Sequence, residues 1–482
     1  MEQAEQLQPA GEHRVVLVCD LDRTLIRTEI LDETFWAALA AGWSAPLAAA
    51  RALLRGRAAL KRELARRGAV DVVTLPYRPE IVARLREWRT RGGRTALVTS
   101  ADQAVADQVA DHLGVFDEAH GSDGRRNLRS QTKADFLIDR FGRGGFDYIG
   151  SVASDAPIWA AADRAVTIGL DRSGRDQAPQ GAEHLQAEPQ DTPGAMVAAL
   201  RPHQWLKNLL IFLPLLAAHR TDAGALGQAV VAFLAFSLVA SSVYVLNDLL
   251  DLPSDRAHPR KRVRPFASGR LALRNGLWMA PGLMAAGLLL GLSLGPTFLA
   301  ILAVYLGLTS AYSMRLKRVP VVDICTLAGL YTLRIAAGAA ATGIPLSVWL
   351  MAFSMFFFFS LAAVKRQAEL VDSVSAGRAL NTRRGYQAED LPLVAMMAVG
   401  SGYVSVLVMA LYVSSPDVTA LYTAPEILFG ICAVLLFWIS RIVLITHRGR
   451  MHDDPVVFAA RDPVSLGAFG AVCLLVVLGA RV

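Results

Sequence analysis

Residues 227–255 read GQAVVAFLAFSLVASSVYVLNDLLDLPSD and join two opposite kinds of sequence. The first part, 227–247, carries no charged side chain, and about 20 apolar residues are enough for a helix to cross the hydrocarbon core of a bilayer. Three aspartates, Asp248, Asp251 and Asp255, follow at once. The stretch therefore predicts a transmembrane helix that ends in a group of carboxylates at the membrane surface.

Similar apolar segments continue to the end of the chain, which is 53% hydrophobic and only 19% charged. Residues 199–482 are therefore predicted to form an all-α membrane bundle of about nine transmembrane helices. Besides 227–247, the predicted segments are 205–219, 276–294, 297–312, 321–341, 345–364, 391–413, 425–446 and 463–480.

Basic residues concentrate in alternate connections of this bundle, at 251–275, 313–320, 365–390 and 446–462. By the positive-inside rule these connections face the cytoplasm. The polar beginning of the chain, 1–13, has no secretory signal pattern. We therefore expect a multi-pass protein of the inner cell membrane, with its N-terminal domain and polar motifs in the cytoplasm. The net charge of +7 fits this topology and does not indicate a nucleic-acid partner.

The first part of the chain, 1–170, alternates short apolar runs with helical patterns, which predicts an α/β, Rossmann-like domain with a parallel sheet. An insertion at 33–70 is predicted to form a small helical cap. The polar stretch 171–198, rich in Gly, Pro and Gln, is predicted to be a linker. The predicted strands are 14–19, 95–99, 146–150 and 165–169, and the helices between them include 79–90 and 102–114.

Two aspartates follow the first strand directly, as Asp20-Leu21-Asp22. Both can reach one point above the carboxyl end of a parallel sheet, which is where α/β folds bind ligands. One carboxylate could attack a phosphorus atom while the other handles the proton of the leaving group.

The run from Asp20 to Leu25 resembles the first motif, DxDxT, of the haloacid dehalogenase (HAD) superfamily, and the resemblance covers about residues 14–170. It implies that Asp20 is the nucleophile of a phosphatase and Asp22 its general acid and base. By the same resemblance, phosphate would be bound by Thr24, Thr99 and Lys133, and Mg²⁺ would be bound by Asp20, Asp22 and Asp155.

Two positions depart from the HAD pattern. Arg23 stands where the superfamily usually has glycine, and Ser151 stands where it usually has a metal-binding aspartate. The loss of one carboxylate weakens the binding of a hard cation. The fold is therefore expected, whereas the phosphatase activity is left open against a fold kept as an inactive module.

The three aspartates of the membrane motif are three and four residues apart, which places them on one helix face. Their repulsion is relieved when Mg²⁺ lies among them, a cation that typically bridges carboxylates to phosphates. Pro253 is expected to end or kink the helix near Leu252, so that Asp255 lies on a restarted turn. We therefore expect Asp248, Asp251 and Asp255 to be catalytic ligands of Mg²⁺.

A basic run follows and suits the phosphates of a diphosphate substrate. Its members are Arg256, His258, Lys261, Arg264 and Arg270. Any one of them could instead serve only as a topology signal, and an ordinary acidic helix cap is the plainer interpretation of the aspartates.

The pattern NDxxDxxxD at 247–255 resembles the first aspartate-rich motif of the UbiA superfamily of intramembrane prenyltransferases, over about residues 200–482. A second element of the family begins at Tyr312 and continues through Lys317 to Asp323 and Arg334. Most of the family has a second DxxxD pair there. Position 327 is leucine in this chain, so the second Mg²⁺ site lacks a carboxylate.

Two further stretches resemble the decaprenyl-phosphate phosphoribosyltransferase branch of that superfamily. One is RPHQWLKN at 201–208, and the other is KRQAEL at 365–370 with Arg384-Gly385-Tyr386 in the same loop. Enzymes of this branch join a polyprenyl phosphate to the anomeric carbon of phosphoribosyl diphosphate (PRPP) and release diphosphate. The fused HAD domain could then remove the 5-phosphate from the product.

The resemblance implies Mg²⁺ as cofactor, a polyprenyl phosphate and PRPP (or a prenyl diphosphate) as substrates, and a membrane environment. A homo-oligomer is left open. The implied substrate-binding residues are Lys207, Asn208, Asn247, Arg256, Lys261, Arg264, Tyr312, Lys317, Asp323, Arg334, Lys365, Arg366 and Glu369.

Two other functions fit the same residues. A standard UbiA enzyme would transfer a polyprenyl group from its diphosphate to an aromatic acceptor, but the missing second DxxxD pair and Lys365-Arg366 favour phosphoribosyl transfer. A transporter or scaffold whose HAD domain is the only enzyme is disfavoured, because acidic and basic motifs share one membrane face.

Overall fold

The computed structural model describes residues 15–123, 126–170, 172–220, 222–375, 385–419, 422–451 and 454–481. They form two compact units. The N-terminal unit contains the described residues up to Ala199 together with Val245–Met279, and the membrane unit contains Leu200–Tyr244 and the residues from Ala280 onward. The sequence predicts one boundary near residue 198, whereas in the structure the segment with the three aspartates belongs to the N-terminal unit.

A six-stranded parallel sheet, in the order β3-β2-β1-β4-β5-β6, forms the core of the N-terminal unit and confirms the α/β fold. The central strand is β1, whose Cys19 pairs in register with Leu97 of β2 and Ile149 of β4, so three carboxyl ends meet around Asp20. The strands are β1 Val16–Cys19, β2 Thr95–Asp102, β3 Glu118–Ser122, β4 Phe146–Gly150, β5 Ala165–Ile168 and β6 Glu183–Leu185.

The helical insertion forms α1 to α3, which confirms the predicted cap. In chain order the α-helices are α1 Ile30–Ala41, α2 Ala45–Leu53, α3 Arg57–Arg67, α4 Pro79–Thr90, α5 Gln103–Leu113, α6 Gln131–Phe141, α7 Ala156–Trp159, α8 Arg172–Arg175, α9 Pro193–Leu200, α10 Leu213–Ala217, α11 Ala223–Leu250, α12 Leu252–Ala257, α13 Gly276–Leu292, α14 Pro296–Met314, α15 Val322–Thr342, α16 Val348–Ser375, α17 Leu391–Val413, α18 Pro416–Thr419, α19 Phe429–His447, α20 Pro455–Ala459 and α21 Pro463–Arg481.

Two edge strands are missed by the sequence prediction. β3 has the sequence EAHGS and β6 has EHL, and neither is an apolar run. Edge strands are partly solvated, so they do not need the continuous apolar sequence of the buried central strands. Because β6 pairs with β5, the linker prediction is wrong at Glu183–Leu185.

Eight helices of the described residues are long and apolar enough to cross a membrane, which confirms eight of the nine predicted spans. They are Ala223–Leu250, Leu273–Leu292, Pro296–Met314, Val322–Thr342, Val348–Ser375, Ala388–Val413, Pro425–His447 and Pro463–Ala480.

The first predicted span, 205–219, is wrong as a regular α-helix. It forms a 3₁₀-helix, Pro202–Phe212, followed by the short α10. With a rise of about 2.0 Å per 3₁₀ residue and about 1.5 Å per α residue, the segment would still extend for about 29 Å. Gly338 of α15 allows it to pack closely, because a Cβ at that position would lie 2.0 Å from the carbonyl oxygen of Ile211.

Candidate active sites

The first candidate site lies at the carboxyl end of the central strand. Asp20 follows β1 directly, and the ammonium group of Lys133, on α6, donates a hydrogen bond to Asp20 Oδ1 at 2.6 Å. Both side chains are buried. Burial lowers the pKa of Lys133, but the neighbouring Asp20 and Asp155 outweigh burial and leave that pKa raised. The lysine therefore stays protonated beside the candidate nucleophile.

Asp22 is held at the beginning of the cap. Its Oδ1 accepts a hydrogen bond from the N–H of Ile30, the first residue of α1, at 2.7 Å. Burial and the neighbouring Asp20 raise the pKa of Asp22 to about 7. Near neutral pH both forms of the carboxyl are populated, which suits a group that must give and take back a proton.

Asp155 has the properties of a cation ligand. It is buried, and its Oδ2 has no hydrogen-bond partner among the described residues. Gly150 makes room for this oxygen, because a Cβ there would lie 2.6 Å from it. Burial outweighs the nearby Lys133 and raises the pKa of Asp155 to about 7. A divalent cation would stabilise the ionised form of such a carboxyl.

The predicted Mg²⁺ ligands are only partly brought together. In the part of the chain that the structure describes, no three His, Cys, Asp or Glu side chains are grouped as a metal site. The Asp22 side chain bonds to Ile30, and the hydroxyl of Ser151 donates to the backbone carbonyl of Asp22 at 3.3 Å. The residues that fit a cation are therefore Asp20 and Asp155, with further positions left for water or substrate oxygens.

A cavity of about 320 Å³ opens over these carboxylates and is lined by Asp20, Asp22, Lys133 and Asp155. The sequence prediction missed several polar residues that also line it, among them Lys61, Ser100 and Asn127. Lys61 comes from α3 of the cap, and its ammonium group donates to the Ser100 carbonyl at 2.6 Å and to Asn127 Oδ1 at 3.2 Å. A single lysine on an amphipathic helix gives no sequence signal for such a role.

Two predicted phosphate contacts do not line the cavity. The buried Thr99 accepts a hydrogen bond from the Ala101 N–H at 3.1 Å, and the Thr24 hydroxyl donates to the Asp22 carbonyl at 3.3 Å. Successive residues of a strand point to opposite faces, and β2 continues beyond Thr99 to Asp102. Ser100 lines the cavity instead, the Thr24 hydroxyl lies 3.5 Å from Asp20 Oδ2, and the roles of Thr99 and Thr24 as phosphate contacts stay predictions.

The aspartate motif bends where its proline predicts. α11 ends at Leu250, α12 begins at Leu252, and Asp251 lies between them with φ −102° and ψ +16°. Pro253 takes the second position of α12, where its missing N–H costs no hydrogen bond. Asp255 therefore lies on a restarted turn, as predicted, and Asn247 lies half-buried in the last turn of α11.

The bend brings two of the three carboxylates together. Arg264 Nη1 lies 3.1 Å from Asp248 Oδ1 and 2.5 Å from Asp255 Oδ2, whereas seven residues of continuous helix would separate them by about 10.5 Å along the axis. Lys261 lies 3.6 Å from Asp255. Asp248 and Asp255 are buried and Asp251 is exposed, so the prediction that all three share one face is wrong.

Arg256 does not join this group. Its guanidinium donates two hydrogen bonds, of 2.7 and 3.1 Å, to the carboxylate of Glu33 on α1, and both side chains are about 5% exposed. In this structure Arg256 is therefore paired within the N-terminal unit, and its role in binding a diphosphate stays a prediction.

In the membrane unit, Asp454 gathers two of the predicted lysines. Its Oδ2 accepts hydrogen bonds from Lys207 at 2.8 Å and from Lys365 at 3.0 Å, and its Oδ1 accepts one from the Tyr331 hydroxyl at 3.2 Å. Burial raises the pKa of Asp454, but the two lysines outweigh burial and hold that pKa well below its usual range. Sequence reasoning missed Asp454, because an aspartate before a proline looks like an ordinary helix cap, which it also is for α20.

Arg334 is buried without a carboxylate. Its Nε donates to Asn208 Oδ1 at 2.7 Å and its Nη2 donates to the Tyr305 hydroxyl at 3.2 Å, while no Asp or Glu among the described residues pairs with it. The guanidinium also lies over the rings of Tyr305 and Tyr331. Together with Lys207 and Lys365, it forms a group of three cations near Asp454 in the described part of this unit, and Glu369 also acts on Lys365.

The second family element forms a closed ion pair. Asp323 is 0% exposed; its Oδ2 lies 2.5 Å from Arg366, and its Oδ1 accepts a hydrogen bond from the Tyr386 hydroxyl at 2.7 Å. Arg366 also contacts Glu369. One guanidinium balances only one of these two carboxylates, and the roles of Asp323, Arg366 and Glu369 in binding substrate stay predictions.

Two other predicted substrate residues end the neighbouring helix. Tyr312 lies in the last turn of α14, and Lys317 lies in the short 3₁₀ turn Leu316–Arg318 that follows. Both are half-buried. Arg384 lies outside the described residues.

The chain matches the UbiA prenyltransferase family over residues 208–460 and the haloacid dehalogenase-like hydrolases over residues 17–135. The uncharacterized protein y4nM of Sinorhizobium fredii is 39% identical over 462 residues, which cover 94% of this chain and 89% of that one. The decaprenyl-phosphate phosphoribosyltransferase of Mycolicibacterium smegmatis is 38% identical over 205 residues, 39% of this chain and 63% of that one. A UbiA homolog from Archaeoglobus fulgidus, solved with GPP and Mg²⁺, aligns with a TM-score of 0.46 at 16% identity, over 59% of this chain and 99% of that one. The chain belongs to the UbiA prenyltransferase family, and its N-terminal domain is a haloacid dehalogenase-like hydrolase domain.

Proposed function

We propose that the membrane unit transfers a phosphoribosyl group from PRPP to a polyprenyl phosphate and releases diphosphate. The observation that carries the proposal is the group of cations around Asp454, of which Lys207 and Arg334 are buried and Lys365 is half-buried. A buried charge is costly unless it is paired, and most of this unit is predicted to lie in a bilayer, where the cost is higher. Lys207, Lys365 and Arg334 therefore fit the phosphate groups of an anionic substrate.

The similarity to decaprenyl-phosphate phosphoribosyltransferases supports the choice of substrates. Leu327, at the position where most of the family has the second carboxylate of a DxxxD pair, supports it further. In the reaction, an oxygen of the lipid phosphate would attack C1 of the ribose while the C1–O bond to diphosphate breaks.

Asp248 and Asp255 are the residues that would hold Mg²⁺, because they already hold the cationic group of Arg264 between them. The ion would supply charge neutralisation to the leaving diphosphate. Lys261 lies beside the same carboxylates and would contact the diphosphate as well.

For the HAD domain we propose hydrolysis of the 5-phosphate of the lipid-linked product. Asp20 would attack phosphorus and form an acyl phosphate while Asp22 gives its proton to the leaving alcohol. The ionised Asp22 would then take a proton from the water that attacks the phosphorus and releases phosphate. Mg²⁺ held by Asp20 and Asp155 would supply charge neutralisation at the phosphoryl group.

The basic connections place this chemistry, in our proposal, on the cytoplasmic side of the inner membrane. If Pro202–Ala217 crosses the bilayer in its partly 3₁₀ form, the chain has nine crossings and its two ends lie on opposite sides. Cysteine labelling of the exposed Arg260 and Ala480 positions in intact cells and inverted vesicles tests this topology.

The deciding experiment offers the purified chain in lipid nanodiscs two substrate pairs, each with Mg²⁺. One pair is PRPP with decaprenyl phosphate, and the other is a prenyl diphosphate with 4-hydroxybenzoate. We expect a lipid-linked ribose product by mass spectrometry from the first pair only. Turnover of the second pair alone would replace the proposal with aromatic prenyl transfer.

A further inference from the structure

The helix that carries Asp255 is too short to hold its own position. α12 contains six residues, Leu252–Ala257, less than two turns, and helices of this length are unstable unless they are packed against other elements. It also follows a break at Asp251, so α11 does not fix its direction. The position of Asp255 must therefore be set by contacts of α12 and the loop that follows.

α12 is paired with the cap of the HAD domain through a buried ion pair. Arg256, next to Asp255, forms a two-fold hydrogen-bonded ion pair with Glu33 of α1. The Thr28 hydroxyl donates to Glu33 Oε1 at 2.6 Å, and Arg256 Nε donates to the Ala267 carbonyl at 3.0 Å. Both charged side chains are almost fully buried, so the guanidinium has no solvent to replace a lost partner.

The loop after α12 is fixed to the same domain at further points. Asp191 Oδ1 accepts hydrogen bonds from the Ala272 N–H at 2.8 Å and from Asn275 Nδ2 at 2.7 Å. The indole N–H of Trp36, one turn after Glu33 on α1, donates to the Leu273 carbonyl at 3.2 Å. The segment 252–275 thus lies on the HAD domain along its length.

We propose that Glu33, a residue of the phosphatase domain's cap, is a positioning residue of the transferase site. It holds Arg256 and with it α12, and so sets where Asp255 meets Asp248 and Arg264. The inference rests on the proposed function in one respect, that Asp248 and Asp255 bind the metal and diphosphate. The HAD domain is then a structural part of the transferase, besides any reaction of its own.

The test compares Glu33→Gln with the matched control Glu118→Gln in the full-length chain in nanodiscs. Glu118 is also a poorly exposed carboxylate paired with two arginines, Arg94 and Arg140, but it lies on the edge strand β3. In Glu33→Gln we expect the KM for PRPP and the half-maximal Mg²⁺ concentration to rise about tenfold or more, as for other residues that orient metal ligands. We expect kcat to change by less than about twofold, because the reacting groups are intact.

Two further measurements separate positioning from loss of folding. Hydrolysis of p-nitrophenyl phosphate by the HAD domain should be the same in Glu33→Gln and wild type. Amide hydrogen exchange should be faster in 252–275 for Glu33→Gln and unchanged there for Glu118→Gln. A double variant, Glu33→Gln with Arg256→Met, should recover much of the protection, since no buried charge is then left unpaired.

Exchange in 252–275 that is unchanged by Glu33→Gln would overturn the inference. Faster exchange with an unchanged KM and Mg²⁺ requirement would overturn it as well. A wild-type chain that does not use PRPP would instead refute the proposed function, while the exchange comparison would still decide whether Glu33 holds the segment.

Discussion

A carboxylate that pairs with two lysines can stabilise a fold and also hold the lysines in position to bind a phosphate. Asp454 pairs with both Lys207 and Lys365. Its single negative charge can balance only one of these lysines, and it does not pair with Arg334. An anion entering this site would meet cations whose positions are already set. Such preorganisation lowers the cost of binding, because the side chains are ordered before the ligand arrives.

We therefore expect Asp454→Asn to destabilise the membrane unit by about 3 kcal/mol, since it leaves the buried Lys207 without a carboxylate partner. Diphosphate or PRPP should restore part of the lost stability by supplying negative charge. Thermal unfolding in detergent, with and without diphosphate, measures both effects. The control is Asp462→Asn, which breaks a more exposed pair with Arg441 and should show no rescue by diphosphate.

Asp22 leads to a prediction about pH. Its pKa, raised to about 7 by burial and by Asp20, means that the acid form needed for leaving-group protonation is present below pH 7 and lost above it. We expect the phosphatase kcat/KM to fall about tenfold per pH unit above this value. The measurement is a pH–rate profile with a sugar phosphate as substrate. p-Nitrophenyl phosphate is a weaker test, because its leaving group needs little protonation.

In Asp22→Asn we expect the fall of kcat/KM above pH 7 to disappear, together with most of the phosphatase activity. A profile that stays flat from pH 6 to 9 with a sugar phosphate would contradict the assignment of Asp22 as the acid.

Arg23 shows why one departure from the HAD pattern is tolerated. Its φ of +59° lies in the left-handed region, where glycine is free of strain and other residues are not. The Arg78 guanidinium lies 3.5 Å from the Arg23 carbonyl and helps to fix this turn. The substitution therefore affects the backbone of the turn, and it also adds a guanidinium to the lining of the cavity.

At the scale of elements, the break between α11 and α12 decides which carboxylates meet. A continuous helix would keep Asp248 and Asp255 two turns apart, whereas the bend allows both to contact Arg264. The alternation of apolar and polar sequence predicts the helix, and Pro253 predicts its end. Neither predicts that Asp251 turns outward, because that depends on how the chain resumes after the break.

We expect Pro253→Ala to favour a continuous helix and to lower transferase kcat/KM by about tenfold or more by separating the two ligands. The Mg²⁺ dependence of the rate should move to higher concentration. Pro281→Ala is the matched control, because Pro281 lies inside α13 away from the motif. Equal losses in both variants would show that proline removal acts through stability and not through the bend.

The long elements could be predicted from sequence because strands buried on both faces and helices that face lipid both require continuous apolar residues. This holds for the eight confirmed spans and for β1, β2, β4 and β5. It fails where backbone geometry or solvation relaxes that demand, as in the 3₁₀ segment Pro202–Phe212 and the polar edge strand β6. The site residues Lys61 and Asp454 could not be predicted, because their partners are far away in the chain and come together only by folding.

At the scale of the whole molecule, two reactions on one chain should be separable by single substitutions. Asp20→Asn should abolish phosphatase activity and leave the transfer from PRPP within about twofold, so that a lipid-linked ribose 5-phosphate accumulates. Asp248→Asn should do the reverse, with normal hydrolysis of a sugar phosphate and little transfer. Mass spectrometry of the lipid products tests both.

A dephosphorylated product from Asp20→Asn would show that the HAD domain is not the phosphatase. Loss of both activities in either variant would show that the two sites do not work independently.

The N-terminal unit consists of two stretches of chain, with Leu200–Tyr244 between them. During synthesis, the domain cannot acquire its last contacts until the ribosome has passed Met279 and α11 has been inserted into the bilayer. Domains usually fold as soon as they emerge. The N-terminal unit can complete its folding only after α11 has been inserted, so the timing of membrane insertion becomes part of its folding pathway. Slow insertion would leave Glu33 and Asp191 without their partners in the nascent chain.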